Sequence, residues 1–326
     1  LAISGPFDKK WDLQMGAIEQ NGETEKTEKS GRSGALPWIG EGMYKMNWTA
    51  PKGYKRAVLV FDGAMSQPVV SVNGKEAGKW AYGYNAFRID ITPFIQFGKS
   101  NLIEVHLNNV EESSRWYPGG GLYRPVSVEL YGNENFSTWD TFVRTLKADK
   151  QEAEVEVNAL LEGKTGKSGK TVIALLDEAG KKVAEQTVTG ANPEIKTTLK
   201  VANPQLWSPE SPYLYQVKLT RYEGKKVADV QNLKTGISTI AVSKEYGFQL
   251  NGVTRKLKGV CLHHDLGPLG AAENKAALIR QIKMMKEMGC DAIRTAHNMP
   301  STMQMEICDS LGMMGATDSA DVWVCC

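Results

Sequence analysis

The chain has 326 residues, 41% hydrophobic and 23% charged, with 39 basic against 37 acidic side chains and a net charge of +2. That balance gives no electrostatic case for a nucleic-acid or anionic-membrane partner. The sequence contains no apolar run near the roughly 18 residues of a membrane span.

Residues 1–133 read as all-β. Arg56–Phe61 is an apolar run between Gly53 and Gly63, and Pro68–Val72 leads into Asn73-Gly74, a strong two-residue hairpin signal. Phe87–Ile91 alternates apolar with charged residues, Asn101–Leu107 alternates less cleanly, and Tyr123–Leu130 closes the set. Many short strands with Gly and Asn turns predict a jelly-roll β-sandwich. Residues 19–34 are polar and Gly-rich and read as a surface loop.

After a linker at Asn133-Glu134-Asn135, residues 138–242 form a second β-rich block. In Glu152–Leu160 the residues Ala153, Val155, Val157 and Ala159 point one way. Thr171–Leu176, Lys182–Val188, Ile195–Val201, Leu214–Leu219, Lys226–Val230 and Gly236–Val242 follow. About seven strands in about 100 residues predict an immunoglobulin-like sandwich, here without a disulfide. Trp207 reads as a core or domain-junction residue.

Residues 245–326 change period. Arg255–Leu262 and Asp291–His297 are predicted parallel strands. Between them, Leu278, Ile282, Met285 and Met288 form a helical stripe ended by Gly289, and Met284 is read with them as helix packing. Ser301 is the candidate N-cap of a helix ending near Leu311. Strand, helix, strand, helix is the opening of a (β/α)8 TIM barrel. A full barrel needs eight units and about 250 residues. The expectation is therefore a multidomain, mainly β protein whose barrel begins here and continues beyond Cys326. The opening residues look like the middle of a domain, without a basic-then-apolar leader. Gly315-Ala316-Thr317-Asp318 reads as a poor core for a third strand.

The five cysteines, Cys261, Cys290, Cys308, Cys325 and Cys326, all lie beyond residue 260. They give no disulfide framework for the β-rich part, and the terminal pair fits no familiar metal spacing. In the predicted strands, Cys261 and Cys290 act as small apolar residues.

The chemistry-bearing residues cluster just past the two predicted barrel strands, the rim where βα barrels hold their sites. On DAIRTAH, Arg294 falls in the strand and His297 just beyond it. An arginine there can keep a neighbouring carboxylate ionised, and a histidine can donate to a sugar hydroxyl. The competing reading is a structural ion pair. His263, His264 and Asp265 fit a metal site, a sugar-binding cluster or a plain loop. Adjacent histidines in extended backbone point to opposite sides, which disfavours their sharing one ion. Arg115-Trp116-Tyr117 before Gly119-Gly120-Gly121 offers an aromatic face for a pyranose, or a structural turn. No Lys-Ser/Thr follows, so the glycines are not a phosphate loop.

Four segments resemble glycoside hydrolase family 2, the β-galactosidase and β-glucuronidase family: Arg115–Arg124 (RWYPGGGLYR), Leu250–Gly252 (LNG), Lys258–Asp265 (KGVCLHHD) and Ala292–Pro300 (AIRTAHNMP). The three-block order resembles that family's jelly roll, immunoglobulin-like domain and barrel. The resemblance implies retaining hydrolysis of terminal β-D-galactosides through a glycosyl-enzyme intermediate, with both catalytic glutamates beyond residue 326 and no catalytic residue in this segment. A β-glucuronidase or a non-catalytic carbohydrate-binding module is the alternative. It assigns substrate contact to Arg115, Trp116, His263, His264, Asp265, Arg294, His297 and Asn298. It implies no cofactor and no metal ligand here beyond an optional structural or activating cation. It also implies a carbohydrate partner, a homo-oligomer, and a periplasmic location with a cytoplasmic alternative. The chain departs from the family at Met43-Tyr44-Lys45, where Trp-Tyr-Arg is usual, and at Gly236-Ile237-Ser238, where Gly-Ile/Phe-Arg is usual.

Overall fold

The computed structural model describes residues 12–15, 40–109, 120–163 and 169–317. The chain divides into two compact units. One comprises Leu1–Leu130, Gly259–Ile307 and Gly315–Cys326, the other Tyr131–Lys258 and Cys308–Met314.

In the first unit, a five-stranded sheet runs in the order Asp12–Met15, Gly40–Thr49, Ser100–Asn109, Val69–Val72, Lys75–Lys79. A three-stranded sheet runs Phe87–Asp90, Arg56–Phe61, Val126–Tyr131. Between them lies one core that includes Tyr44, Met46, Leu59, Phe61, Val70, Phe87, Ile103, Val105 and Leu107. Ser100–Asn109 has the cleanest period of two. Asn101, Ile103, Val105, Leu107 and Asn109 are all buried, and the residues between them are not. Burying each apolar side chain there is worth about 1.5–3 kcal/mol. A one-residue slip would expose the whole set, so the pairing with Gly40–Thr49 is fixed from Gly40↔Asn109 to Thr49↔Ser100. The Asn73-Gly74 hairpin forms as expected. Both residues take positive φ, +52° and +76°, as a type I′ turn requires.

The second unit holds seven longer strands in two sheets. Phe142–Ala148, Glu152–Gly163 and Glu194–Ala202 form one, with Glu134–Phe136 added to Glu152–Gly163. Lys182–Thr189, Gly169–Leu176, Tyr215–Glu223 and Lys226–Thr235 form the other. Ala153, Val155, Val157 and Ala159 all face the core, with Ile173, Leu175, Val217 and Leu219 among their partners. Arg221 is buried inside this sandwich. Its Nη2 donates to Glu134 Oε1 at 2.9 Å and its Nη1 to Thr171 Oγ1 at 3.3 Å. Gly169 makes room for it, since a Cβ there would lie 2.0 Å from Arg221 Nη2. Trp207 is nearly buried, and its Nε1 donates to the Asp309 carbonyl at 2.8 Å.

One expected strand of this sandwich belongs elsewhere. Ile240–Ser243 pairs with Gly247–Leu250, which pairs with Val253–Thr254, in a small separate sheet. The sandwich edge is instead completed by Lys226–Thr235, longer than expected because its pairing with Tyr215–Glu223 runs on to Tyr215↔Thr235.

The βα elements begin with Gly259–Leu262, parallel to Ala292–Thr295. Helix α1, Lys275–Glu287, lies between them in sequence. The Asn274 side chain caps it by accepting from Ala277 N, and Gly289 follows it at φ +90°. Helix α2, Thr302–Leu311, starts at Ser301, whose Oγ accepts from Gln304 N at 3.1 Å. Two expectations fail here. Met314–Thr317 does form the third strand, beside Ala292–Thr295. Sheet pairing outweighs its weak propensity, and Gly315 suits a place where a Cβ would meet the Met305 methyl at 2.8 Å. On α1 the buried residues are Leu278 and Ile282, while Met284 and Met288 are exposed. The apolar stripe is therefore narrower than the sequence suggests.

Candidate functional site

The site is built where the first two parallel strands end. Cys261 is in register with Arg294, and Leu262 with Thr295. Side chains alternate along each strand, so Arg294 and Cys261 emerge on one exposed face. Beyond the strand ends, the rings of His263 and His297 meet edge to face at 5.3 Å. Arg294 Nη2 approaches His297 Nδ1 at 3.4 Å. Arginine can only donate, so that contact leaves Nδ1 of His297 as the acceptor. Partial burial lowers the pKa of His263, and the neighbouring His297 and Arg294 lower it further. Arg294, His263 and His297 thus form one small, solvent-facing group of hydrogen-bonding side chains.

His264 goes the other way. Its backbone takes φ +58°, uncommon for a non-glycine residue, and its ring turns inward. There it lies against Tyr84, with ring centroids 5.6 Å apart, and its Nδ1 is 3.4 Å from Arg124 Nη2. Burial first, then the Arg124 charge, push its pKa down to about 4. The ring is neutral at ordinary pH.

Asp265 does not join the cluster. Its Oδ1 accepts from Gly267 N at 2.8 Å and its carbonyl from Gln281 Nε2 at 3.0 Å, so it shapes the turn. Asn298 is buried and accepts at Oδ1 from the Tyr82 hydroxyl. Arg115 and Trp116 lie outside the described residues.

Sequence reasoning passed over the residues beneath this rim. Arg124, only 3% exposed, donates through Nη1 to the carbonyls of Tyr84 at 2.7 Å and Asp62 at 3.2 Å, and through Nη2 to that of Met299 at 2.8 Å. Beside it, burial raises the carboxyl pKa of Asp62 and of Glu273. Glu273 receives the Ser301 hydroxyl on Oε1, and its N–H donates to the Tyr123 carbonyl at 2.8 Å. A cavity of about 30 Å³ adjoins these groups, lined in part by Tyr123, Arg124, His264, Asp265, Glu273 and Gln281. It has room for a water molecule or two, and its mixed wall includes the polar side chains of Arg124, His264, Glu273 and Gln281. Two sequence signals were available: the aromatic run Trp80–Phe87, with Tyr82 and Tyr84, and the segment Arg115–Arg124, which Arg124 closes.

Among the described residues no group of three or more His, Cys, Asp and Glu could hold a metal ion. No described helix is long and apolar enough to cross a membrane.

Comparisons with known proteins place this geometry in context. Residues 137–237 match the model for glycosyl hydrolases family 2, and residues 240–322 match that family's TIM barrel domain. The β-galactosidase BoGH2A of Bacteroides ovatus is 35% identical over 317 residues, covering 94% of this chain and 37% of its own length. A β-glucuronidase of Formosa agariphila is 27% identical over 309 residues, covering 85% of this chain and 32% of its own. The crystal structure of a glycosyl hydrolase family 2 member from Bacteroides cellulosilyticus superposes with a TM-score of 0.88 at 34% identity, covering 96% of this chain and 45% of that one. The chain spans about a third of the length of these two curated relatives.

Proposed function

The chain belongs to family 2 of the glycosyl hydrolases, and on that premise we propose that it forms one wall of the sugar pocket of a retaining β-galactosidase. The observation that carries this reading is the solvent-facing group of Arg294, His263 and His297 at the ends of two parallel strands. In a βα barrel those ends line the site.

Retaining hydrolysis uses two carboxyl groups about 5–5.5 Å apart, one as acid/base and one as nucleophile. In this proposal both are glutamates on later barrel strands. The nucleophile attacks the anomeric carbon while the acid protonates the departing oxygen. Water, deprotonated by the same acid/base group, then cleaves the glycosyl-enzyme bond. The residues present here bind and orient. The His263 and His297 rings offer donors and acceptors to sugar hydroxyls, and the Arg294 cation helps keep a neighbouring carboxylate ionised. Asn298, buried and held by the Tyr82 hydroxyl, braces the loop after His297.

A β-glucuronidase is the second reading. It is supported by the exposed Arg294 guanidinium, a natural partner for a sugar carboxylate, and by relatives bearing that name. The complete enzyme assayed on 4-nitrophenyl β-galactoside and β-glucuronide separates the two. We expect the higher kcat/KM on the galactoside. The reverse ranking overturns the sugar assignment, and hydrolysis of neither overturns the glycosidase reading.

A further inference from the structure

We propose that Arg124 is a positioning residue for the sugar pocket: one buried guanidinium on the jelly roll fixes both loops that carry the sugar-facing histidines. The proposal rests on the glycosidase reading above.

The geometry is two-handed. Nη1 is anchored on the jelly roll, at the carbonyls of Tyr84 and Asp62. Nη2 reaches the Met299 carbonyl at 2.8 Å and His264 Nδ1 at 3.4 Å. His264 adjoins His263 in the first loop, and Met299 lies two residues after His297 in the second. A shift of either contact therefore carries one of the two rings that meet at 5.3 Å. A planar fork can hold both loops at once, and an ammonium group cannot reproduce its fixed directions.

The surroundings argue for placement over stability. Among the described residues Arg124 forms no salt bridge; its hydrogen-bond acceptors are three carbonyls and a ring nitrogen, and the neighbouring Asp62 and Glu273 carboxyls act on it only through space. A buried cation without an ion-pair partner carries a desolvation penalty. The carbonyls themselves need only a neutral donor, and the adjoining cavity of about 30 Å³ offers water room and some polar lining groups. What a neutral replacement could not supply is the fixed direction of two loops. Because arginine accepts nothing, it also forces the unprotonated nitrogen of His264 to be Nδ1. The half-buried ring is thereby held in one tautomer as well as one place.

The test uses the complete enzyme carrying Arg124→Lys or Arg124→Ala. We expect kcat/KM to fall about 100-fold in both, the scale of a misplacement near 1 Å. The thermal midpoint of Arg124→Lys should stay near that of the unmutated enzyme. Millimolar guanidinium should restore part of the Arg124→Ala activity, which a purely structural role would not allow. A folded Arg124→Lys enzyme with kcat/KM within about twofold of the original overturns the proposal. Should both variants fail to fold, His264→Gln and His264→Leu test the tether from its other end. The glutamine oxygen can still accept from Arg124, so Leu should lose about tenfold more activity than Gln. Equal loss overturns the proposal. An unmutated enzyme that hydrolyses no glycoside overturns the glycosidase reading and this proposal with it. An active one with an indifferent Arg124 overturns this proposal alone.

Discussion

Arg221 and Arg124 are both buried, at 1% and 3% exposure, yet they are held in opposite ways. Arg221 lies inside the immunoglobulin-like sandwich and closes on Glu134, with Thr171 and the space above Gly169 completing its socket. Arg124 lies under the candidate site and grips neutral acceptors from three separate stretches of chain. One arginine balances a charge within its own sandwich. The other spreads a charge over loops that must be aimed. Burial alone therefore does not tell a structural arginine from a positioning one; the identity and origin of its acceptors do.

The largest expected effect breaks the comparison at its charged end. Arg221→Met leaves the Glu134 carboxyl buried without its cation and should cost about 3–5 kcal/mol of stability. Adding Glu134→Leu should recover most of that loss. Arg124→Met leaves carbonyls without their donor and takes a through-space charge from Asp62 and Glu273, but strands no ion-paired carboxylate, and should cost about 1–3 kcal/mol. Urea unfolding of the four proteins checks the ranking, and equal losses for the two single arginine variants would remove the distinction drawn here.

A pH series sharpens the other end. The folded His264 ring titrates at about 4, the unfolded one near 6.5. Below pH 6.5 the unfolded chain binds a proton that the folded chain refuses. This contribution is thus fully present above about pH 6.5 and is lost as pH falls toward 4, by about 2 kcal/mol at pH 5. Glu273 acts with the opposite sign. Burial raises its pKa, so its contribution is present below about pH 4.5 and lost as pH rises through the raised value. Comparing the unmutated protein with His264→Gln at pH 7 and pH 5 isolates the histidine. The glutamine variant should lose less stability over that interval.

The smallest effect concerns the rim. Tyr82→Phe removes the hydroxyl that meets Asn298 and should lower stability by about 1 kcal/mol. It should also weaken binding of a glycone-sized inhibitor, as measured by calorimetry.

Local chemistry made much of the fold legible. Asn73-Gly74, Gly289 after α1, and Ser301 before α2 each act within a few residues, so their sequence signals survive folding unchanged. That His263, His297 and Arg294 would come together was legible because all three fall at or just past the ends of two adjacent predicted strands. Asp265 shows the limit of such a reading, because an aspartate shaping a turn and one aimed at a ligand look alike in sequence. Arg124, Tyr82 and Glu273 were invisible for a different reason. Their partners lie about 140, 216 and 28 residues away, and nothing local announces such meetings. Strand Met314–Thr317 was missed because its neighbour, not its composition, makes it a strand.

The cysteine distribution has a practical consequence. Both sandwiches are free of thiols. Of the described cysteines, Cys308 is buried, with its thiol pushed up to about 12, whereas Cys261 is exposed and in register with Arg294. A gentle alkylating reagent should therefore leave Cys308 untouched and mark Cys261, on the strand face that Arg294 shares. On the proposed reading Cys261 is a native reporter beside the sugar site, and sugar bound to the complete enzyme should shield it without any engineered label.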